Sequence, residues 1–229
     1  MSDQLKKTAI SLTTSLAEVG LDSILNDGIL KDVPVLGTCI GIINASKDIQ
    51  NIIFSKKLRR FIESLNQIPK SEVDLFKDVI AKRSDDIEDV ANRILMVINA
   101  SIDSRKSEVV ANIFLGYLHG ELSTDELKRA LELTNTIYVE DLLLVLSEGF
   151  IDGHMSSSKL NMLGLGHLAN TPLFWKNPIR HDHDPVGRKV IYSSGRISQK
   201  VDYYEGYNLT VLSEKMCRAY RFGLELRNR

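Results

Sequence analysis

Apolar residues along this chain recur mostly at helical spacing, and the pattern changes character beyond about residue 150. Leu12, Leu16 and Val19 fall on one helical face, followed by Leu21, Ile24 and Leu25, with Gly20 or Gly28 placed to end or bend a short helix. Pro34 opens the next run, at a helix start where its missing amide would have had no partner. From Phe54 the apolar positions are 54, 58, 61, 65 and 68, the seam of an amphipathic helix that Pro69 closes. A helix running from Pro34 to Pro69 would lie across several others or kink near Gly37 and Gly41.

Further helices follow with their own punctuation. Ser71 and Asp74 precede a stripe of Val73, Phe76, Val79 and Ile80, and Asp85 or Asp86 starts one with Ile87, Val90, Ile94, Val97 and Ile98. Val109, Val110, Ile113, Phe114 and Tyr117 line a helix that stops at Gly120. Ser123 and Glu126 have capping-box spacing ahead of Leu127, Leu131 and Thr134. The run from Val139 to Gly149 reads as a buried helix, too short to cross a bilayer.

Beyond residue 150 Gly, Asn, Ser and His become frequent, and residues 154–202 hold only short apolar runs. Three of these, at 163–169, 188–194 and 200–210, predict short strands or irregular segments, with a turn-rich surface loop around Pro178 and Pro185. A last helix from Thr210 to Leu226 turns Leu212, Met216, Ala219 and Tyr220 inward. The expected fold is mainly α, with a helical domain over 1–120 and a smaller α+β module over 121–229.

The order of elements in that module is a helix at 123–135, a turn at Asn135–Tyr138, a helix at 139–148, a hydrophilic excursion, then Tyr207-Asn208-Leu209-Thr210 leading into the terminal helix. This order loosely resembles a winged-helix module, in which a recognition helix is followed by a two-stranded wing. The resemblance implies nucleic-acid or partner binding, but the helix in the recognition position is acidic and apolar. It lacks the Arg, Lys, Asn or Gln side chains that read base edges. The excursion is also long for a wing.

Charge sharpens the picture locally. The formal net charge is −1, so no global field draws the chain toward nucleic acid or membrane. Residues 121–148 nevertheless carry two basic against seven acidic side chains, whereas 151–229 carry twelve basic against seven acidic. Arg180, Arg188, Lys189, Arg196 and Lys200 form a basic loop that could follow a phosphate backbone by charge and shape. Gly37 and Gly41, in the apolar stretch 33–45, suit close helix packing or self-association. With Lys56, Lys57, Arg59 and Arg60 following, the same segment could instead lie in a membrane surface.

Candidate chemistry is sparse. Cys39 and Cys217 make neither a disulfide scaffold nor a zinc site, and with no secretion signal at the first residues a cytoplasmic setting is expected. His154, His167, His181 and His183, with neighbouring aspartates, have the donor types for zinc, iron or manganese, but no recognised hydrolase spacing. The serines at 156–158 lack the strand–turn–helix frame of a nucleophile, and Gly164 and Gly166 do not complete a dinucleotide fingerprint. No cofactor or small-molecule substrate is expected. The sequence favours a non-enzymatic interaction or regulatory protein with a protein partner. A nucleic-acid-binding regulator, a membrane-associated effector and a metal-dependent enzyme stand as alternatives.

Overall fold

The computed structural model describes residues 49–82, 84–148, 155–180 and 203–229. Its helices are α1 (Ile49–Leu65), α2 (Lys70–Lys82), α3 (Ser84–Ala100), α4 (Arg105–His119), α5 (Thr124–Thr136), α6 (Val139–Glu148), α7 (Ser157–Met162) and α8 (Val211–Arg227). The strands are β1 (Met155–Ser156), β2 (Phe174–Arg180) and β3 (Tyr203–Leu209), with a 3-10 helix at Gly166–Asn170. The protein is thus mainly α, a helical array followed by a smaller α+β segment. Gly37 and Gly41 lie outside the described residues.

The chain divides into two compact units, one holding everything up to Glu148 together with Lys215–Arg229, the other Gly149–Glu214. This division groups 121–148 and the last fifteen residues with the helices rather than with the strands. The reason is apolar: Leu127, Leu131, Val139, Leu142 and Val145 are all buried in helices that pack on α3 or α4.

Within the helical unit α4 is central. Its side chains are buried continuously from Val109 to Leu118, as expected of a helix with neighbours all round. It packs against α1, α2, α3, α5 and α6. The Phe61, Phe114 and Tyr117 rings form a run with centroid separations of 6.4 and 6.1 Å. Gly120 ends the helix in the left-handed region (φ 102°), its amide donating to the Gly116 and Tyr117 carbonyls. The capping box of α5 forms as the spacing predicts: Ser123 Oγ accepts from the Glu126 amide, and the Glu126 carboxylate from the Ser123 amide.

The part of α8 from Lys215 onward lies against α4 with almost no space between backbones. A Cβ on Gly116 would sit 2.6 Å from the Ala219 carbonyl oxygen, and one on Gly223 would sit 2.6 Å from Asn112 Cα. Two small residues one turn apart on α8 therefore face two positions one turn apart on α4. Arg227 locks the end, donating to Asn112 Oδ1 at 3.0 Å and to Gln67 Oε1 at 2.7 Å. Met216, Ala219 and Tyr220 face inward as expected, while Leu212 is half-buried.

In the second unit an antiparallel sheet runs β1-β3-β2, with β3 central. Phe174 pairs with Leu209 and Lys176 with Tyr207, up to Arg180 with Tyr203. Phe174, Tyr207 and Leu209 are buried together with Leu160, Leu165, Leu168 and Leu173. One expectation is corrected here and another is made specific. Residues around Pro178 form a strand, not a turn-rich loop; β2 is an edge strand, where a residue without an amide hydrogen is tolerated. The 163–169 run, expected as a short strand or an irregular segment, takes no strand and leads into the 3-10 helix, its Leu165 and Leu168 serving as core residues.

Candidate interaction surface

The α3–α4 connection, residues 101–104, is held from several sides. The last carbonyls of a helix have no partner within it, and a cation placed there is favourable. Lys57, projecting from α1, supplies one: its Nζ donates to Asn99 O at 2.7 Å and Ser101 O at 2.8 Å. Ser101 Oγ donates to Val97 O at 2.7 Å. At the other end of the connection Asp103 accepts from the Arg105 amide at 2.8 Å and from its guanidinium, which also pairs with Glu140. Arg60 donates to Ser104 Oγ at 2.8 Å and pairs with Glu108. A second lysine, Lys106, repeats the capping device on α5 by donating to Asn135 O at 2.7 Å.

The electrostatics follow from these contacts. Burial lowers the pKa of Lys57 and of Lys106, with Asp103 partly opposing the effect at Lys106. The Arg105 guanidinium holds the carboxyl groups of Asp103 and Glu140 below the usual carboxylate range, and their presence raises the pKa of Arg105. Glu140 in turn pushes the Tyr138 hydroxyl up. Each strong charge in the cluster has an opposite charge or a carbonyl against it, so the arrangement fixes shape.

What this frame displays is apolar. Ile102, at the apex of the connection, is fully exposed (101%), Met96 is 71% exposed one turn before Ala100, and Ile53 is 52% exposed. Ile53 lies on the Lys57 side of α1 one turn earlier, where the helix runs past its contact with Asn99 and Ser101. Tyr138, 66% exposed, stands beside the Arg105–Glu140 pair. Single exposed apolar residues are ordinary on a protein surface; Ile102 stands apart because it is wholly uncovered on a braced connection.

The residues expected from sequence are distributed as follows. Lys57 is only 5% exposed and caps α3, which corrects its reading as a surface cation. Arg59 pairs with Glu63 on its own helix, Arg60 braces the α3–α4 connection, and Lys56 is exposed. Arg180 ends β2, whereas Arg188, Lys189, Arg196 and Lys200 lie outside the described residues, as do His154, His181 and His183. His167 is exposed, its Nδ1 3.1 Å from Gly164 O. Among the described residues no group of three His, Cys, Asp or Glu side chains could hold a metal ion, and no helix is long and apolar enough to cross a membrane. Sequence reasoning missed Ile102, Met96, Ile53 and Tyr138. The signal for Ile102 was present, an isolated large apolar residue between Ser101 and Asp103 in a polar turn.

No family model matches the chain, and no curated protein or solved structure does so either.

Proposed function

We propose that this is a non-enzymatic interaction or regulatory protein, and that it contacts a protein partner through the face around Ile102. The observation that carries this reading is the full exposure of Ile102 on a connection whose flanks are fixed by Lys57, Asp103–Arg105 and Arg60. An apolar anchor already held in place loses little conformational freedom on binding, and Ile, Met, Tyr and Arg side chains together suit the centre of an interface. Opposed charge, acidic over 121–148 and basic over 176–200, would steer such encounters.

The test is photocrosslinking in the cell of origin from a benzophenone side chain at position 102, with position 78 on α2 as an exposed control. A partner captured from 102 alone, and then shown with purified components to lose binding on Ile102→Glu, supports the reading. Equal capture from both positions, or none from 102, removes its basis.

A second reading has one observation in its favour. Trp175 is 47% exposed on the edge strand β2. Stacking of bases on an exposed indole is one of the ways single-stranded nucleic acid is held without base reading. The antiparallel β2–β3 pair preceding α8 is also the feature that favours a winged-helix comparison. Salt-sensitive binding to a fluorescent oligonucleotide, lost with Trp175→Ala, would promote this reading over the first.

A further inference from the structure

The two helices that meet at Gly116 and Gly223 are joined at a second place, by an ionisable ring. His119, the last residue of α4, lies against Phe222 of α8, their ring centroids 3.9 Å apart and their planes 21° from parallel. Phe222 precedes Gly223, whose contact with Asn112 already brings the two backbones together. We propose that His119 and Phe222 form a proton-sensitive clasp, which holds α8 more firmly on α4 when the imidazole carries its second proton.

Three features of the position favour the charged ring. First, His119 stands in the last turn of α4, where the carbonyl end of a helix attracts positive charge. Second, its Nδ1 lies 3.8 Å from Glu121 Oε1, so the added charge faces a carboxylate. Third, the face of a phenyl ring is the negative part of its quadrupole and attracts a cation within about 6 Å of the centroid, a condition that the stack on Phe222 meets. A neutral imidazole keeps the stack but loses the charge in all three. The other charged groups around the ring come from α8 and α5. Arg218, one turn before Phe222, opposes a second cation, but it donates to Glu121 Oε2 at 3.3 Å and is offset there. Arg221 is turned back toward the Cys217 carbonyl, and Glu225 follows Phe222 by one turn with the opposite sign. Lys215 and Glu126 are paired with each other at 2.7 Å. The unfolded chain offers the charged ring none of these contacts. Their contribution is therefore complete below the ordinary imidazole value of about 6.5 and is lost as pH rises beyond it. Mild acid tightens α8 on α4, and alkaline conditions loosen it.

The His119 side chain is 51% exposed, so His119→Gln removes the proton site without opening the core. Thermal unfolding of the full chain at about pH 5.5 and about pH 8 reads the margin in Tm by which the native protein exceeds this variant. That margin should be larger at the lower pH by roughly 2–4 °C. In a Phe222→Leu background it should depend less on pH, because the ring face is gone. Cys217 places the effect on α8, where its thiol is buried and donates to the Val145 carbonyl. Its labelling by an aromatic disulfide, followed at the Cys217 peptide by mass spectrometry, should be faster in His119→Gln than in the native chain. The ratio of the two rates should be about threefold larger at pH 5.5 than at pH 8. A Tm margin or a rate ratio that is the same at both pH values, or larger at pH 8, would overturn the proposal. So would a Phe222→Leu background that keeps the whole pH dependence. Should Phe222→Leu fail to fold, the Cys217 rates in the otherwise native chain decide the matter.

Discussion

The contact between α4 and α8 gives the sharpest quantitative expectation. Gly223 lies mid-helix, and replacing a helical glycine by alanine ordinarily stabilises a helix by about 1 kcal/mol. Here the new Cβ would meet Asn112 Cα at 2.6 Å and its carbonyl carbon at 2.8 Å, both backbone atoms on a buried helix. Neither can rotate aside, so the two helices must separate. Overpacking of this kind costs about 1–3 kcal/mol, and backbone contact places it at the upper end. Subtracting the propensity gain leaves Gly223→Ala destabilised by about 2 kcal/mol, a fall in Tm of roughly 4–8 °C for a unit of this size. Separation would also strain the Arg227 contacts with Asn112 and Gln67. Thermal unfolding followed by far-ultraviolet circular dichroism reads the shift, with Asn92→Ala, exposed on α3, as a control expected to change little. A Tm raised by Gly223→Ala would mean that propensity acts unopposed and that the helices do not touch as described.

The remaining expectations concern caps and charge. Lys57→Ala leaves the Asn99 and Ser101 carbonyls without their donor and should destabilise by about 2 kcal/mol in urea unfolding, with unchanged stability counting against the capping role. Because burial lowers the folded-state pKa of Lys57 and Lys106, the unfolded chain holds those protons longer; stability should climb as pH rises from the lowered values toward about 10.4, and less so in Lys57→Met. Ser123→Ala removes half of the capping box and should cost about 1 kcal/mol, measured by the same unfolding. Asp89, Asp103, Glu126 and Glu140 all have folded pKa values below their ordinary ones. Their contribution is complete above the ordinary carboxylate range of about 3.9–4.3, and is lost as pH falls through the depressed values; Asp103→Asn should flatten that acid limb of a Tm–pH curve.

What the sequence made legible was local. Ser123 with Glu126, the stop at Gly120 and the Val109–Tyr117 stripe each depend on residues within a turn or two, and each forms as the spacing implies. The features it concealed depend on distant partners. Lys57 sits within the buried arc of α1, one turn before Phe61, yet a lysine in a run of four cations reads as surface charge until the end of α3 is brought to it. β2 was hidden because Lys176, Asn177 and Pro178 break any alternation, and only pairing with β3, almost thirty residues on, makes it a strand. The importance of Gly116 and Gly223 is likewise invisible one helix at a time, since each is small for the sake of the other helix. The exposed face around Ile102 belongs to the same class, being defined by what does not cover it.

The most direct test of the interaction reading is the affinity of the purified protein for a partner captured from position 102, compared between the native chain and Ile102→Glu. Placing a charge on a central apolar anchor should weaken binding by at least about tenfold while leaving Tm unchanged, because the side chain makes no contribution to the core. Equal affinity for both proteins would contradict the account and move the search for function to the β2–β3 strands.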